Sequence, residues 1–315
     1  MVTNTVSHMP KAALQQQKRE KMENDIYESL RKEERKRKRR KIKYFLRRVT
    51  EDVVRLSLLA VPALLMLLPI VFLLSGSITS PQELNTSLAN VWFPHYPTVE
   101  HFQKVLFYSP QFFTVFWNSV RMTVTILIGQ LLVGMPAAWA FAVYRFRKQI
   151  FTLYIILMLT PFQVTMLSQY LVLNEMGLMD TQHAIILPAV FSTFPVFLMY
   201  RSFCGIPKAL LEAGRIDGAG ELELFVRIGI PLASGGICSC LVLGFLEYWN
   251  MIEQPLAFLR DKSLWPLSLY LPEIDETKAG FSFAASVITL IPAVFVFLLG
   301  QDHLEQGIVA SGLKE

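Results

Sequence analysis

Charged residues are scarce in this sequence. They make up only 17% of its 315 residues, whereas 53% are hydrophobic. Soluble domains of ordinary composition carry about 25% charged residues. Cysteine is rarer still, and the three cysteines, Cys204, Cys238 and Cys240, lie in or beside apolar segments without the spacing of a zinc site. This excludes a disulfide scaffold and a cysteine metal centre, and it predicts small buried side chains at these positions.

The sequence also lacks the groupings of residues that carry catalysis. Its five histidines are scattered, and no nucleophile, base and orienting residue occur together. A glycine-rich phosphate loop of the type G-x-x-x-x-G-K-S/T is absent as well. Such a loop would cradle the phosphates of a nucleotide. We therefore expect no enzyme, no ATP hydrolysis by this chain alone, and no cofactor or metal bound by it.

Long apolar runs dominate the rest of the sequence. A helix needs about 20 apolar residues to cross a bilayer core of about 30 Å. Prolines inside the runs, such as Pro161 and Pro188, predict kinked helices in a bundle, because neighbouring helices can satisfy the freed carbonyls. The predicted fold class is an all-α membrane protein with six transmembrane helices. The six runs are Leu56–Ile78, one within Phe112–Val143, Ile150–Leu173, Ala184–Phe203, Ile230–Trp249 and Phe281–Leu299.

Residues 1–50 form a polar tail with the dense basic run Arg35–Lys41. Such a run is typical of nucleic-acid-binding segments and of cytoplasmic flanks attracted to anionic lipid. The apolar run that follows favours membrane lipid as the partner, with no nucleic acid. The long polar start and the lack of a small-x-small site argue against a cleavable signal peptide. We separate this tail from a membrane domain over residues 51–315.

Basic residues alternate between the predicted loops. The tail, the loop at 144–149 and the loop at 204–229 carry Lys and Arg, whereas the loop at 174–182 carries none. Cytoplasmic loops are enriched in these residues. We therefore place the tail, the 204–229 loop and the C-terminus in the cytoplasm. The loop at 251–280, with Arg260, Lys262 and Lys278, fits this pattern less well.

The polar stretch Leu211–Pro231 separates the fourth and fifth apolar runs. Asp217-Gly218 is a turn signal, because glycine takes a positive φ without steric cost. From Glu221 the residues Leu222, Phe225, Val226 and Gly229 recur at the spacing of one helix face. The stretch therefore predicts a helix, a sharp turn and a second helix. This shape suits insertion into a groove of another protein.

The same stretch resembles the EAA loop of binding-protein-dependent ABC importer permeases. That pattern runs E-A-A, three residues, G, about nine residues, then I-x-L-P, and it is a motif rather than proof of function. Glu212-Ala213, Gly218 and Ile228–Pro231 occupy its positions. Gly214 and Ile230 replace an Ala and a Leu of the pattern.

The chain beyond the tail is similar to the carbohydrate-uptake branch of these permeases, and within it to the G-type maltose permease family. Phe281–Val287 and Gln306–Lys314 resemble the AASV and QGLTAGAVKG ends of that group. After its opening Gln-Gly, the second run keeps only Ala310 and Lys314 in place.

The resemblance implies an importer of five parts in the bacterial plasma membrane. This chain and a second permease subunit would form a heterodimer around the pathway for a sugar or oligosaccharide. An ABC ATPase dimer would bind ATP, and an extracellular solute-binding protein would deliver the solute. The 204–229 loop would carry the cytoplasmic coupling helix between helices 4 and 5. Its expected ATPase contacts are Glu212, Ala213, Asp217, Gly218, Ala219, Leu222 and Phe225.

Polar side chains inside the predicted spans are candidates for the solute pathway. Such groups are costly in hydrocarbon unless they are paired or face a water-filled path. Hydroxyl and amide groups suit a hydroxyl-rich solute, although hydrogen bonding between helices is an equal alternative for each residue. The candidates are Gln163, Ser168, Gln169, Ser192, Thr193 and Asn250.

Three other functions stay open at this point. An importer for another solute class would carry the same loop. A stand-alone secondary carrier would need ionisable residues in the spans or internal repeats, and only Arg121 and Glu247 qualify, both near an interface. A membrane enzyme would need a polar catalytic cluster at one membrane face, and the sequence shows none.

Overall fold

Helices account for the regular structure of the described chain. The computed structural model describes residues 22, 44, 48–86, 91–144, 148–271 and 279–312. The predictions for the basic run, for the two arginines of the 144–149 loop, and for Lys278 and Lys314 lie outside these residues. Strand pairing in the described part is limited to an isolated bridge between Thr79 and Pro97.

We number the helices α1 to α14 in chain order. Helix α4 contains a π-helical turn at Gln130–Gly134, and α10 contains one at Phe225–Gly229. The bounds are α1 Arg48–Ile78, α2 Pro81–Thr86, α3 Glu100–Phe107, α4 Pro110–Val143, α5 Lys148–Met158, α6 Phe162–Glu175, α7 His183–Val190, α8 Thr193–Cys204, α9 Lys208–Ile216, α10 Glu221–Leu232, α11 Ser234–Trp249, α12 Glu253–Phe258, α13 Leu267–Tyr270 and α14 Ala279–Gly312.

The apolar runs form four to six candidate membrane spans in the described chain. Four are long and apolar enough by themselves: α1, α4, α7 with α8, and Ala279–Leu304 of α14. Two further spans arise if each bent helix pair counts as one crossing. The described part of the chain is therefore helical with several candidate spans, in agreement with the coarse fold prediction.

Three of the predicted runs are not single straight helices: Ala184–Phe203 is interrupted between α7 and α8, and two others are sharply bent. Within Ile150–Leu173, α5 and α6 meet at 95°, and around Ile230–Trp249, α10 and α11 meet at 73°. Pro161 explains the first break, because it adopts an extended conformation (φ −67°, ψ 148°) and has no N–H to continue a helix. The second break falls at Ala233, which leaves the helical region at ψ 4°.

The chain divides into two compact units, Met1–Ile70 and Val71–Glu315. In the described part of the first unit, the α1 segment from Arg48 to Ile70 exposes its apolar side chains, for example Leu58 and Met66. A continuous exposed apolar surface of this length is expected of a helix surrounded by lipid.

Three clusters of buried apolar residues hold the second unit together. The first joins α4, α7 and α11 to residues 258–269. The second joins the C-terminal end of α4 to α8, α9 and α10, with Trp139 and Phe203 among its members. The third joins α3 and the start of α4 to α11 and α14. The second cluster supports the candidate site described below.

Residues 259–267, which we name the pinned loop, are fixed by side chains that bind backbone groups. Asn118 Nδ2 donates to the carbonyls of Ser263 at 2.7 Å and Trp265 at 3.1 Å. Asp180 Oδ1 accepts from the backbone N–H groups of Asp261 at 2.9 Å and Arg260 at 2.8 Å. These bonds hold the pKa of Asp180 below its usual value.

Candidate functional site

Helix α9 ends in a Schellman turn at Asp217-Gly218. Asp217 caps the helix, and Gly218 follows with a φ of +86°. The Gly218 N–H donates to Arg215 O at 3.1 Å, and the Ala219 N–H donates to Gly214 O at 3.0 Å. Both bonds are those of the Schellman motif, which places a left-handed residue after the cap. The predicted turn is confirmed, with helices on both sides of it.

Gly214 lets α9 approach α10 closely. A Cβ at this position would lie 2.6 Å from Leu224 Cδ2 and 3.3 Å from Ile228 Cδ1. Leu211 and Leu224 are buried in the second cluster, beneath the turn. The helix–turn–helix segment is therefore seated on the apolar ends of α4 and α8.

Phe225 belongs to this support and faces its own chain. Its ring centroid lies 5.5 Å from that of Trp139 and 6.2 Å from that of Phe203. Gly229 is on the same side, since a Cβ there would lie 2.6 Å from the Trp139 ring.

Of the four residues predicted to share one helix face, Phe225 and Gly229 pack on the core, whereas Leu222 and Val226 are 75% and 50% exposed. The prediction of a single face is therefore wrong. Phe225 and Ala219 are partly buried against the second cluster, and their contact with an ATPase stays a prediction.

The opposite side of the turn is exposed and partly apolar. Ile216 is 86% exposed and Leu222 is 75% exposed. Glu212, Ala213 and Asp217 are exposed beside them. Large apolar side chains grouped at a well-formed turn are typical of an interaction site. Sequence analysis named Leu222 but missed Ile216, whose position directly before Asp217-Gly218 was the available signal.

One carboxylate joins the turn to the end of α4. Arg215 Nε donates to Glu221 Oε1 at 2.9 Å, and Tyr144 Oη donates to Glu221 Oε2 at 2.9 Å. The hydrogen bond with Glu221 raises the pKa of Tyr144 and that of Arg215. All three side chains are solvent-exposed, so the network contributes little to stability and mainly orients its three segments.

The candidate pathway residues fall into separate places. Gln163 Nε2 donates to Glu253 at 3.0 Å and 3.2 Å. Gln169 is half-buried, and its Oε1 has no hydrogen-bond partner among the described atoms. Ser168 and Asn250 are exposed, and Asn250 donates to Leu246 O at 2.8 Å.

Ser192 and Thr193 lie at the break between α7 and α8, next to a buried polar pair that sequence analysis missed. The Ser192 side chain lies close to the Tyr248 hydroxyl. Gln130 Nε2 donates to the same hydroxyl at 2.7 Å and to Ala189 O at 2.8 Å. A glutamine inside an otherwise apolar run was the signal for this site. The described contacts do not connect this group with Gln163.

Comparison with known proteins defines the class of this chain. The family described as "binding-protein-dependent transport system inner membrane component" matches residues 130–310. This covers more than half of the chain, which therefore belongs to that family. It is a multi-pass membrane component of a transport system, a permease rather than an enzyme.

Individual relatives extend over most of the chain. The arabinooligosaccharides transport system permease protein AraQ of Halalkalibacterium halodurans is 29% identical over 259 residues, covering 80% of this chain and 92% of the relative. The sn-glycerol-3-phosphate transport system permease protein UgpE of Yersinia enterocolitica is 30% identical over 210 residues, covering 64% of this chain and 75% of the relative. Both are permeases of transport systems by name.

A solved structure has the same fold. It is a crystal structure of a bacterial ABC transporter involved in the import of the acidic polysaccharide alginate. One of its chains superposes with a TM-score of 0.69 and 24% identity, covering 79% of this chain and 95% of that one.

Proposed function

We propose that this chain forms one half of the membrane pathway of an ATP-driven importer for a sugar or oligosaccharide. In this proposal the two bent helix pairs each count as one span. The chain then crosses a bacterial plasma membrane six times and keeps both termini in the cytoplasm. A second permease subunit completes the pathway, and a solute-binding protein delivers the solute from outside.

The observation that carries the proposal is the exposed side of the α9–α10 turn. Ile216 and Leu222 present apolar surface, while the segment behind them is packed on Trp139 and Phe203. Such a helical projection fits a groove on a partner. We infer that the partner is the ABC ATPase, which binds the ATP, and that α9 is the coupling helix.

The predicted coupling residues then take two roles. Glu212, Ala213, Asp217 and Leu222 lie on the exposed side with Ile216 and contact the ATPase. Gly218 and Ala219 shape the turn, and Phe225 passes its movement to α4 and α8. Residues of the second group act through the shape and packing of the turn and not by contact with the partner.

The class of solute is inferred from the relatives' names and from the polar groups in the spans. AraQ is named for arabinooligosaccharides. UgpE is named for glycerol-3-phosphate, which makes a phosphorylated polyol the second candidate. The proposed pathway residues are Gln163, Ser168, Gln169, Ser192, Thr193 and Asn250.

The test is purification of the tagged chain in mild detergent, with mass spectrometry of the proteins that accompany it. We expect an ABC ATPase and a second multi-span permease. Ile216→Glu should lose the ATPase and keep the permease, because a charge would be buried in the groove. The control is Val99→Glu, an exposed apolar residue outside the turn. Recovery of the chain alone, while a known importer stays intact, would contradict the proposal.

A further inference from the structure

A pocket of about 360 Å³ lies between the start of α6 and helix α12. Small-molecule sites typically measure roughly 300–1,000 Å³. The break at Pro161 creates this pocket, because α6 turns away from α5 at 95° and its first residues then face α12. The lining residues are Phe162, Gln163, Met166, Glu253, Leu256 and Ala257.

The floor of the pocket is attached to the core. The Phe162 ring centroid lies 6.2 Å from that of Phe258, and Phe258 is buried in the first cluster. The wall of the pocket is almost entirely apolar, and the polar groups of Gln163 and Glu253 lie at its rim, where one amide nitrogen donates to both carboxylate oxygens. Both polar side chains are exposed, so a solute can reach them.

This combination of groups suits a particular chemistry. A carboxylate has about four lone-pair sites, and a single amide group leaves several of them able to accept hydroxyl protons. The Gln163 carbonyl can accept another proton, and the Phe162 and Met166 side chains offer apolar contact to the C–H face of a sugar ring. The negative charge of Glu253 repels phosphate and carboxylate groups of a solute bound in the pocket.

We propose that this pocket is a solute subsite in which Glu253 acts as a charge filter. It favours uncharged, hydroxyl-bearing solutes and disfavours anions such as uronates or sugar phosphates. This inference rests on the proposed transport function and narrows its solute class. Glu253 thereby joins Gln163 as a pathway residue.

The test uses charged thiol reagents on the assembled importer in liposomes. The native cysteines are replaced by serine, and Met166→Cys places one thiol in the pocket. The probes are cationic 2-aminoethyl and anionic 2-sulfonatoethyl methanethiosulfonate. At this thiol, the ratio of the cation's reaction rate to the anion's should be about three- to tenfold higher than the same ratio for a free thiol. The reason is the Coulomb attraction between Glu253 and the cation in a hydrated site. Glu253→Gln should remove this bias.

The control thiol is Met176→Cys, an exposed position directly after α6. Its ratio of rates should not change with Glu253→Gln. If Met166→Cys prevents assembly, Leu256→Cys offers a second thiol in the same pocket. An unchanged bias in Glu253→Gln would overturn the proposal, and so would the absence of reaction with both reagents, which would mean that the partner subunit covers the pocket. Recovery of the ATPase is scored separately, so a failure of the transport proposal is distinguished from a failure of the charge filter.

Discussion

The α9–α10 turn and the pinned loop are held in place by different means. The turn rests on aromatic rings and leaves apolar side chains exposed on its outer side. The pinned loop is fixed by Asn118 and Asp180, whose side chains bind its backbone directly. Hydrogen bonds to the backbone satisfy polar groups within the chain itself. Backbone groups of the pinned loop are thus bound within the chain, whereas the turn leaves the large apolar side chains of Ile216 and Leu222 exposed.

The largest expected effect comes from Gly218→Pro. Proline fixes φ near −65° and has no N–H, whereas Gly218 has a φ of +86° and donates to Arg215. We expect the protein to remain in the membrane while uptake is lost and ATP hydrolysis no longer responds to solute. Uptake and ATPase rates in liposomes measure this.

Gly177→Pro is the matched control for that variant. Gly177 also has a positive φ of 65° and open space around it, and its N–H donates to Asn174. It lies in the turn after α6 and outside the α9–α10 segment. Gly177→Pro should retain uptake, and its ATP hydrolysis should still respond to solute. Normal uptake by Gly218→Pro would contradict the proposed role of this turn in coupling.

The next effect concerns the aromatic support of the turn. Trp139→Ala removes a ring that contacts both Phe203 and Phe225. Large-to-small substitutions of buried aromatic residues cost about 3–5 kcal/mol. The thermal midpoint in detergent should fall strongly. Trp117→Ala, at a 54% exposed position, should change it little. Equal midpoints for both variants would show that the turn does not depend on this cluster.

A smaller and local effect is expected for the pinned loop. Asn118→Ala removes two bonds to the loop backbone. The bond to Ser263 is exposed, whereas the one to Trp265 is partly buried, and a buried carbonyl left unpaired costs about 1–3 kcal/mol. Hydrogen exchange should accelerate at residues 263–267 and stay unchanged in the α9–α10 turn. Asn174→Ala, at an exposed position, serves as the control. Faster exchange throughout the chain would contradict independent anchoring of the two regions.

The smallest effect is a pH dependence at His101. This buried side chain lies 3.0 Å from Thr79 O, and burial lowers the pKa of His101 below 6.5. As the pH falls, His101 therefore binds a proton at a higher pH in the unfolded chain than in the folded one. Stability is full above pH 6.5 and declines below it, until the folded pKa is passed. Thermal midpoints from pH 8 to 5 should show this decline, and His101→Gln should reduce it. Substitution of the exposed His95 should leave this decline unchanged. The same pH profile in His101→Gln as in the unmodified protein would refute the assignment to His101.

The local pattern of the sequence predicted those parts of the fold that depend on neighbouring residues. Asp217-Gly218 indicated the turn, because the left-handed position is a property of one residue. The apolar runs indicated the spans by length alone. Periodicity grouped Phe225 with Leu222 and Val226, but these two residues are exposed, so it did not identify the buried face of α10. Trp139 is distant in sequence, and only the packing of α4 against α10 shows that this face is internal.

The features that were not predicted depend on contacts between distant segments. Proline indicates a kink at residue 161, but its angle is set by the neighbours of α5 and α6. The pair of Gln163 and Glu253 is separated by 90 residues. Gln130 is visible in sequence as a polar residue in an apolar run, but its partner Tyr248 lies 118 residues away and could not be predicted. Polar groups in spans therefore need their partners before a role can be assigned.

Gly214 has no side chain, and the space that a methyl group would occupy there is filled by Leu224 of α10. The family pattern has alanine at this position, yet here a Cβ would collide with Leu224. The side chain at 224 and the atom absent at 214 therefore fill one volume between them. An alanine in place of Gly214 requires a different rotamer at Leu224, a smaller neighbour or a wider gap between the two helices. Residues 214 and 224 should thus vary together among relatives. Substitutions at these two positions would change the distance between the α9–α10 turn and the helices α4 and α8 that support it.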